Sequence, residues 1–280
     1  MGLDLTWSQN LVYGMISGLT EILPVSAQAH RLLLRKIFGT HYVPGITLLL
    51  IHFGILAALF FSCQNQILRI HRARRLARIP KKKRRRPLDM VSLMDFSLLR
   101  SMFLPVLLAF ILGHKIMDYE DNIFLVSALL FLNGIVLYIP QYLPGSNKDA
   151  RTLTRAEGIF MGLGTALSAL PGISAIGMNL SFGQAFGEDK KYGLNMALLL
   201  EIGILMILLV IDILGIAVDR SDRLSFMLIL QSVLAGAGAF GSSLLGIKLM
   251  RKLAENNGFT LFSYYCWAIA LFTMILTLFA

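Results

Sequence analysis

Apolar residues run almost unbroken through six stretches of the chain, at about 43–63, 98–117, 121–140, 192–218, 225–249 and 259–280. Each is close to the roughly 20 residues that a helix needs to cross the hydrocarbon of a bilayer. Two more apolar stretches, 8–38 and 156–186, are interrupted near their middles, by Leu23-Pro24-Val25-Ser26 and by Leu170-Pro171-Gly172-Ile173-Ser174. Proline removes a backbone donor and disfavours helix at the residue before it. At membrane depth such a break survives only where protein or a wet cavity surrounds it. The pattern therefore predicts six spans and two re-entrant helical hairpins that enter the membrane and leave by the same face.

Composition agrees with an all-α polytopic membrane protein: 56% of the 280 residues are hydrophobic, 15% are charged and the mean hydropathy is +0.70. The net charge of +10 does not point to nucleic acid, because it belongs to one segment. Residues 69–86 hold 11 of the 26 Lys and Arg and no carboxylate, leaving 15 cations against 16 anions elsewhere. Positive charge beside spans marks the cytoplasmic side, so the 64–97 loop is expected there, near anionic headgroups. The other spans then alternate, through an acidic turn at Asp118-Tyr119-Glu120-Asp121 and basic groups at Lys148, Arg151, Arg155, Lys248, Arg251 and Lys252. The result is a hairpin plus three spans (1–140) and then the same set in opposite orientation (156–280), an inverted repeat within one membrane domain. Matching broken helices in the two halves point to a binding site near the bilayer midplane. Cys63 and Cys266 lie far apart in apolar segments and form neither a metal spacing nor a disulfide framework. The first segment opens with Asp4 and carries no leader-like basic region.

Candidate chemistry gathers at the breaks. Thr20, Glu21, Ser26, Gln28 and His30 surround the first, and ionisable groups inside a membrane are functional candidates by default. Glu21 suits a base or the ligand of a cation. His30 suits a nucleophile or general acid, and Ser26 and Gln28 can donate to phosphate. The plainer reading is a polar network that satisfies the backbone freed by Pro24. Arg31 follows His30, and consecutive helical side chains point about 100° apart, so it is expected to face elsewhere. At the second break Gly172, Ser174 and Asn179 precede or open a helix, where backbone donors favour an anion, although small residues also serve close packing. Glu201 lies inside an apolar span and is expected to be paired or neutral. His52 is expected to bond a neighbouring carbonyl, and Asp212 lies nearer a span end.

Gly18-Leu19-Thr20-Glu21-Ile22-Leu23-Pro24-Val25-Ser26 with His30, and Leu170-Pro171-Gly172-Ile173-Ser174, resemble the two signatures of bacterial undecaprenyl-diphosphate phosphatases. The similarity extends to Phe262-Ser263-Tyr264-Tyr265. It implies two re-entrant hairpins in an inverted repeat and removal of one phosphate from a C55 isoprenoid diphosphate at the bacterial plasma membrane. It assigns Glu21, His30, Ser26 and Ser174 to catalysis. Thr20, Gln28, Gly172, Asn179 and Glu201 would bind substrate, and Glu21 is the candidate ligand of Mg²⁺ or Ca²⁺. The chain departs from the pattern at Ser17, where an acid or amide is expected, and at Ala27, where a second serine is. Ala175 stands where the second signature has arginine, and Asn195 and Cys266 fall near later arginines. Because phosphoryl transfer leans on cations that stabilise the moving charge, two readings stay open. One is a divergent lipid-diphosphate phosphatase. The other is a non-catalytic relative that binds or flips a polyprenyl phosphate or another lipid. A homodimer, or an assembly partner recruited by the basic loop, are the candidate protein associations.

Overall fold

A computed structural model describes residues 5–40, 42–84, 86–113, 122–144, 147–218, 225–255 and 258–279. The acidic turn at 118–121 lies outside them. Ten α-helices follow in order: α1 (Trp7–Ile22), α2 (Ala27–Phe38), α3 (Gly45–Ala77), α4 (Met90–Leu112), α5 (Ile123–Tyr138), α6 (Arg155–Ala166), α7 (Ala175–Ala185), α8 (Lys190–Val218), α9 (Phe226–Glu255) and α10 (Leu261–Phe279). Among the described residues α3, α4, α8, α9, and α5 together with the 3-10 turn that extends it to Tyr142, are long and apolar enough to cross a membrane, and α10 supplies a shorter apolar stretch, Leu261–Leu276.

Both interrupted segments are hairpins. In the first, a Thr6–Gln9 capping box starts α1, which stops at Leu23 before Pro24. In the second, a Thr154–Glu157 box starts α6, and a short 3-10 turn carries it to the break. The returning helices are capped by the hydroxyls of Ser26 and Ser174, which accept from Ala29 N and Gly177 N. Limbs of 11 to 16 residues reach about 16–24 Å at 1.5 Å per residue, short of a full crossing.

The basic 64–97 segment departs from the expected loop. Helix α3 continues to Ala77 and α4 starts at Met90, so Arg69, Arg72, Arg74 and Arg75 are helical. Arg69 pairs with Asp95 at 3.4 Å, and the Arg74 guanidinium lies 3.9 Å over the Phe96 ring. Opposite charge and an aromatic face on α4 thus hold the cationic end of α3 against it, and the reversal is confined to the turn near Pro80 and Pro87.

The first limb of each hairpin packs against the opposite half. Helix α1 lies on α9, and α6 lies on α4. Each contact is a pair of glycines four residues apart. A Cβ on Gly14 or Gly18 would strike the backbone of Ala235 or Ala239, and one on Gly162 the backbone of Met102. On Gly158 it would strike Ser101 Oγ. Such spacing lets two backbones touch where lipid supplies no hydrophobic drive between helices. Helices α3 and α8 pair with each other, as do α5 and α10. One buried core runs through both halves, from Leu5 to Ala270.

Candidate functional site

The two breaks meet on a single side chain. Asn133 of α5 is fully buried; its Nδ2 donates to the Pro24 carbonyl at 3.1 Å, and its Oδ1 accepts from Ser174 N at 3.0 Å. One amide therefore satisfies a backbone group freed at each break, which buried polar groups require. Helix α7 lies against Pro24 at Gly177, where an added Cβ would come within 3.1 Å of the Pro24 Cβ. Among the described residues Ser26 is the one non-glycine with positive φ (60°). Such backbone is held at a cost of about 1–3 kcal/mol and tends to occur at functional sites.

Between the hairpin tips lies a small cavity of about 30 Å³. Thr20, Glu21, Ala27, Gln28 and Arg31 line it from the first hairpin, Ser168, Ile173, Ser174 and Ala175 from the second, with Phe110, Ile204 and Leu208 closing it. Arg31, expected to point away, is its cation: Nη1 donates to Glu21 Oε2 at 3.3 Å and to His52 Nε2 at 3.4 Å. The antiparallel hairpin brings position 31 opposite position 21, so the 100° step that separates Arg31 from His30 turns Arg31 inward. His52 does not bond a helix carbonyl. Its Nδ1 meets Asp212 Oδ2 at 2.7 Å. Because a guanidinium can only donate, Nε2 is the acceptor and Nδ1 carries the proton given to Asp212. A polar chain thus runs from Glu21 through Arg31 and His52 to Asp212. Gln28 Oε1 and Ser168 Oγ are buried without partners. Arg31, the Ser168 hydroxyl and, once the amide is turned over, the Gln28 Nε2 give donors suited to an anion.

Other predicted residues make their hydrogen bonds or contacts elsewhere, Thr20 among them although it lines the cavity. His30 turns to α10, with Nδ1 2.8 Å from the Ser26 carbonyl and Nε2 2.8 Å from the Tyr265 hydroxyl. Thr20 returns its hydroxyl to Ile16 O at 2.7 Å. Gly172 (φ +103°) packs on α5 at Val126 O, a conformation that only glycine adopts freely. Asn179 donates to Thr165 at 3.1 Å, within the second hairpin. Glu201 is buried on α8, within electrostatic reach of Glu21, and its Oε1 has no partner. Sequence reasoning did not single out Asn133 or Ser168. A lone asparagine in an apolar span was the available signal for the first, and proximity to the Leu170-Pro171 break for the second.

The family model for the bacitracin resistance protein BacA matches residues 10–272. The chain belongs to the BacA family. Among its relatives, an undecaprenyl-diphosphatase of Carboxydothermus hydrogenoformans is 26% identical over 272 residues, covering 96% of both chains. One from Methanobrevibacter smithii is 27% identical over 94% of this chain and 95% of its own. One from a Nocardioides species is 32% identical over 69% and 70%. This BacA-family chain is accordingly a multi-pass membrane protein with an all-helical fold. Ala27 and Ala175 both line the cavity.

A Mg²⁺ or Ca²⁺ ion at Glu21 fits these residues poorly. Such ions take about six or more oxygen ligands. Here the carboxylate is already paired with Arg31, and among the described residues no group of three or more His, Cys, Asp or Glu gathers.

Proposed function

We propose that this protein takes the phosphate end of a polyprenyl phosphate or diphosphate into the cavity between the hairpin tips, with Arg31 as its countercharge. The observation that carries the reading is the Glu21–Arg31 pair inside a cavity otherwise lined by uncharged donors and apolar side chains. A guanidinium matches a phosphate by two parallel hydrogen bonds. An arriving headgroup competes with Glu21 for it, while the isoprenoid stays in lipid beside the apolar wall. The positive charges at Arg69–Arg86, Lys148, Lys190 and Arg251 favour a cytoplasmic position for that end of the bundle. The first hairpin then opens outward and the second inward, in the two-fold manner of inverted repeats.

Binding or movement of the lipid, rather than its hydrolysis, is the function we favour. Catalysis by nucleophile and base needs a hydroxyl within hydrogen-bond reach of a base. Here the hydroxyls of Ser26 and Ser174 cap helices, and His30 is held between Ser26 O and Tyr265. Hydrolysis is the second reading, favoured by a carboxylate and a guanidinium sharing the cavity. The test is purified protein in detergent with C55 diphosphate, with and without Mg²⁺ or Ca²⁺, following phosphate release and lipid binding together. Saturable binding, weakened at least tenfold in Arg31→Gln and without release above background, supports a carrier. Release that is lost in Glu21→Gln and Arg31→Gln assigns a phosphatase. Binding indifferent to Arg31 would sink the headgroup reading.

A further inference from the structure

A second cavity, of about 190 Å³, lies at the other end of α7. Gln141, Ser181, Gln184, Lys190 and Thr260 supply its polar wall, and Leu180 is among its apolar residues. It is larger than the hairpin cavity and has its own cation. The Gln184 amide nitrogen donates to Leu180 O at 3.1 Å, which fixes that side chain along α7. The hydroxyls of Ser181 and Thr260, the Gln141 amide and the Lys190 ammonium are donors to an anion.

The neighbouring surface places the cavity at a membrane boundary. Tyr138, Tyr142, Tyr264 and Trp267 form a cluster with ring centroids 5.3–5.8 Å apart, on the end of α5, the 3-10 turn after it and the start of α10. Two of those same segments line the cavity through Leu137 and Gln141, and Thr260 joins them from the 3-10 turn just before α10. Tyr142 is 72% exposed. Exposed Tyr and Trp in such a cluster mark the headgroup level of a bilayer. One short helix is wall to both cavities: Ser174 and Ala175 face the hairpin cavity, and Leu180, Ser181 and Gln184 face this one. Ala175 and Ser181 are separated by about 9 Å of helix rise.

We infer that the Lys190 cavity is a second site for a lipid phosphate headgroup, at the membrane boundary marked by the aromatic cluster. The ligand class rests on the headgroup reading above; the cavity and its donors do not. Two such sites on one helix give a lipid phosphate two places to rest, one between the hairpin tips and one at the boundary end of α7.

The experiment is equilibrium binding of undecaprenyl phosphate to the purified full chain in detergent, with native mass spectrometry to count bound lipids. Two lipids per chain are expected. Lys190→Glu removes one and Arg31→Gln the other. Ser181→Leu, which fills the cavity without touching a charge, serves as the second variant should Lys190→Glu not fold, and also leaves one. A single lipid, lost with Arg31→Gln and indifferent to Lys190→Glu and Ser181→Leu, overturns the second site and leaves the hairpin site standing. A single lipid lost only with the Lys190 and Ser181 variants would instead overturn the hairpin site. Displacement of the Lys190-dependent lipid by millimolar inorganic phosphate would overturn its assignment to a lipid.

Discussion

Replacing Asn133 by leucine leaves the Pro24 carbonyl and the Ser174 N–H without partners inside the bundle. A buried group stripped of its hydrogen bond costs about 1–3 kcal/mol, so Asn133→Leu is expected to lower the melting temperature in detergent. It should also weaken lipid binding, because both walls of the cavity hang from that amide. Loss of stability with unchanged affinity would separate the amide from the site. A second residue-scale prediction concerns Glu188, between α7 and α8, whose buried carboxyl has one oxygen without a partner. Burial pushes this group up to about 8 from an ordinary 4.5, and the Asp189 charge adds to it. The folded chain therefore holds a proton that the unfolded chain gives up sooner. Stability should be full below about pH 4.5, fall as pH rises towards 8 and level off above. The slope should approach 1.4 kcal/mol per pH unit at most, within roughly a factor of two. Glu188→Gln should flatten that part of a melting-temperature profile, and an unchanged slope would assign the dependence to other groups.

At the scale of elements, proline, glycine and serine announced both hairpins, because a broken helix in lipid must be built from such residues. The Leu23-Pro24 and Leu170-Pro171 breaks stand where they were expected. The length of α3 was less legible. Arginine and leucine favour helix even where charge ends a membrane span, so hydropathy marks where the apolar part stops and not where the helix does. Arg31 was misread for a different reason: a helical wheel gives the angle between neighbours but not which of them faces the partner limb. His52 was read as a local bond because Asp212, 160 positions away, carries no sequence sign of contact. The glycine pairs were present in the sequence, but only the fold shows that both lie on first limbs and face the opposite half. Gly18→Val and Gly162→Val should each force α1 from α9, or α6 from α4, since the obstructing atoms are backbone and cannot rotate away. Overpacking of this kind costs about 1–3 kcal/mol or more. Thermal unfolding is the check, and Gly215→Val, where a Cβ meets nothing within 4 Å, is the control.

For the whole molecule, the reading requires the hairpins of the two halves to share one space. Ala27 and Ala175 line the same cavity from opposite sides, so cysteines at both positions should be joined by a short bifunctional thiol reagent in membranes. Saturating lipid phosphate should protect them. Failure with long reagents as well would mean that the hairpins do not meet. Hydropathy was enough to reveal an all-helical membrane protein with two broken segments, because the bilayer leaves few ways to bury a backbone. It was not enough to find the cavity's cation, since that depends on which face of α2 meets α1.

The length of α3 has one more consequence. Thirty-three residues make a rod of about 50 Å, and a tilt of about 20° shortens it only slightly. A hydrocarbon slab of about 30 Å leaves some 15–20 Å of it outside the hydrocarbon, across the headgroups and into water, with the arginines at its end. At physiological ionic strength the field of an anionic leaflet decays over about 8 Å. The outermost guanidinium groups therefore stand about one to two screening lengths from the lipid phosphates, where much of that attraction is lost. Their counterions come from solution, so lowering the salt concentration extends the membrane's hold outward along the rod, and raising it leaves the tip to whatever else in the aqueous phase carries negative charge.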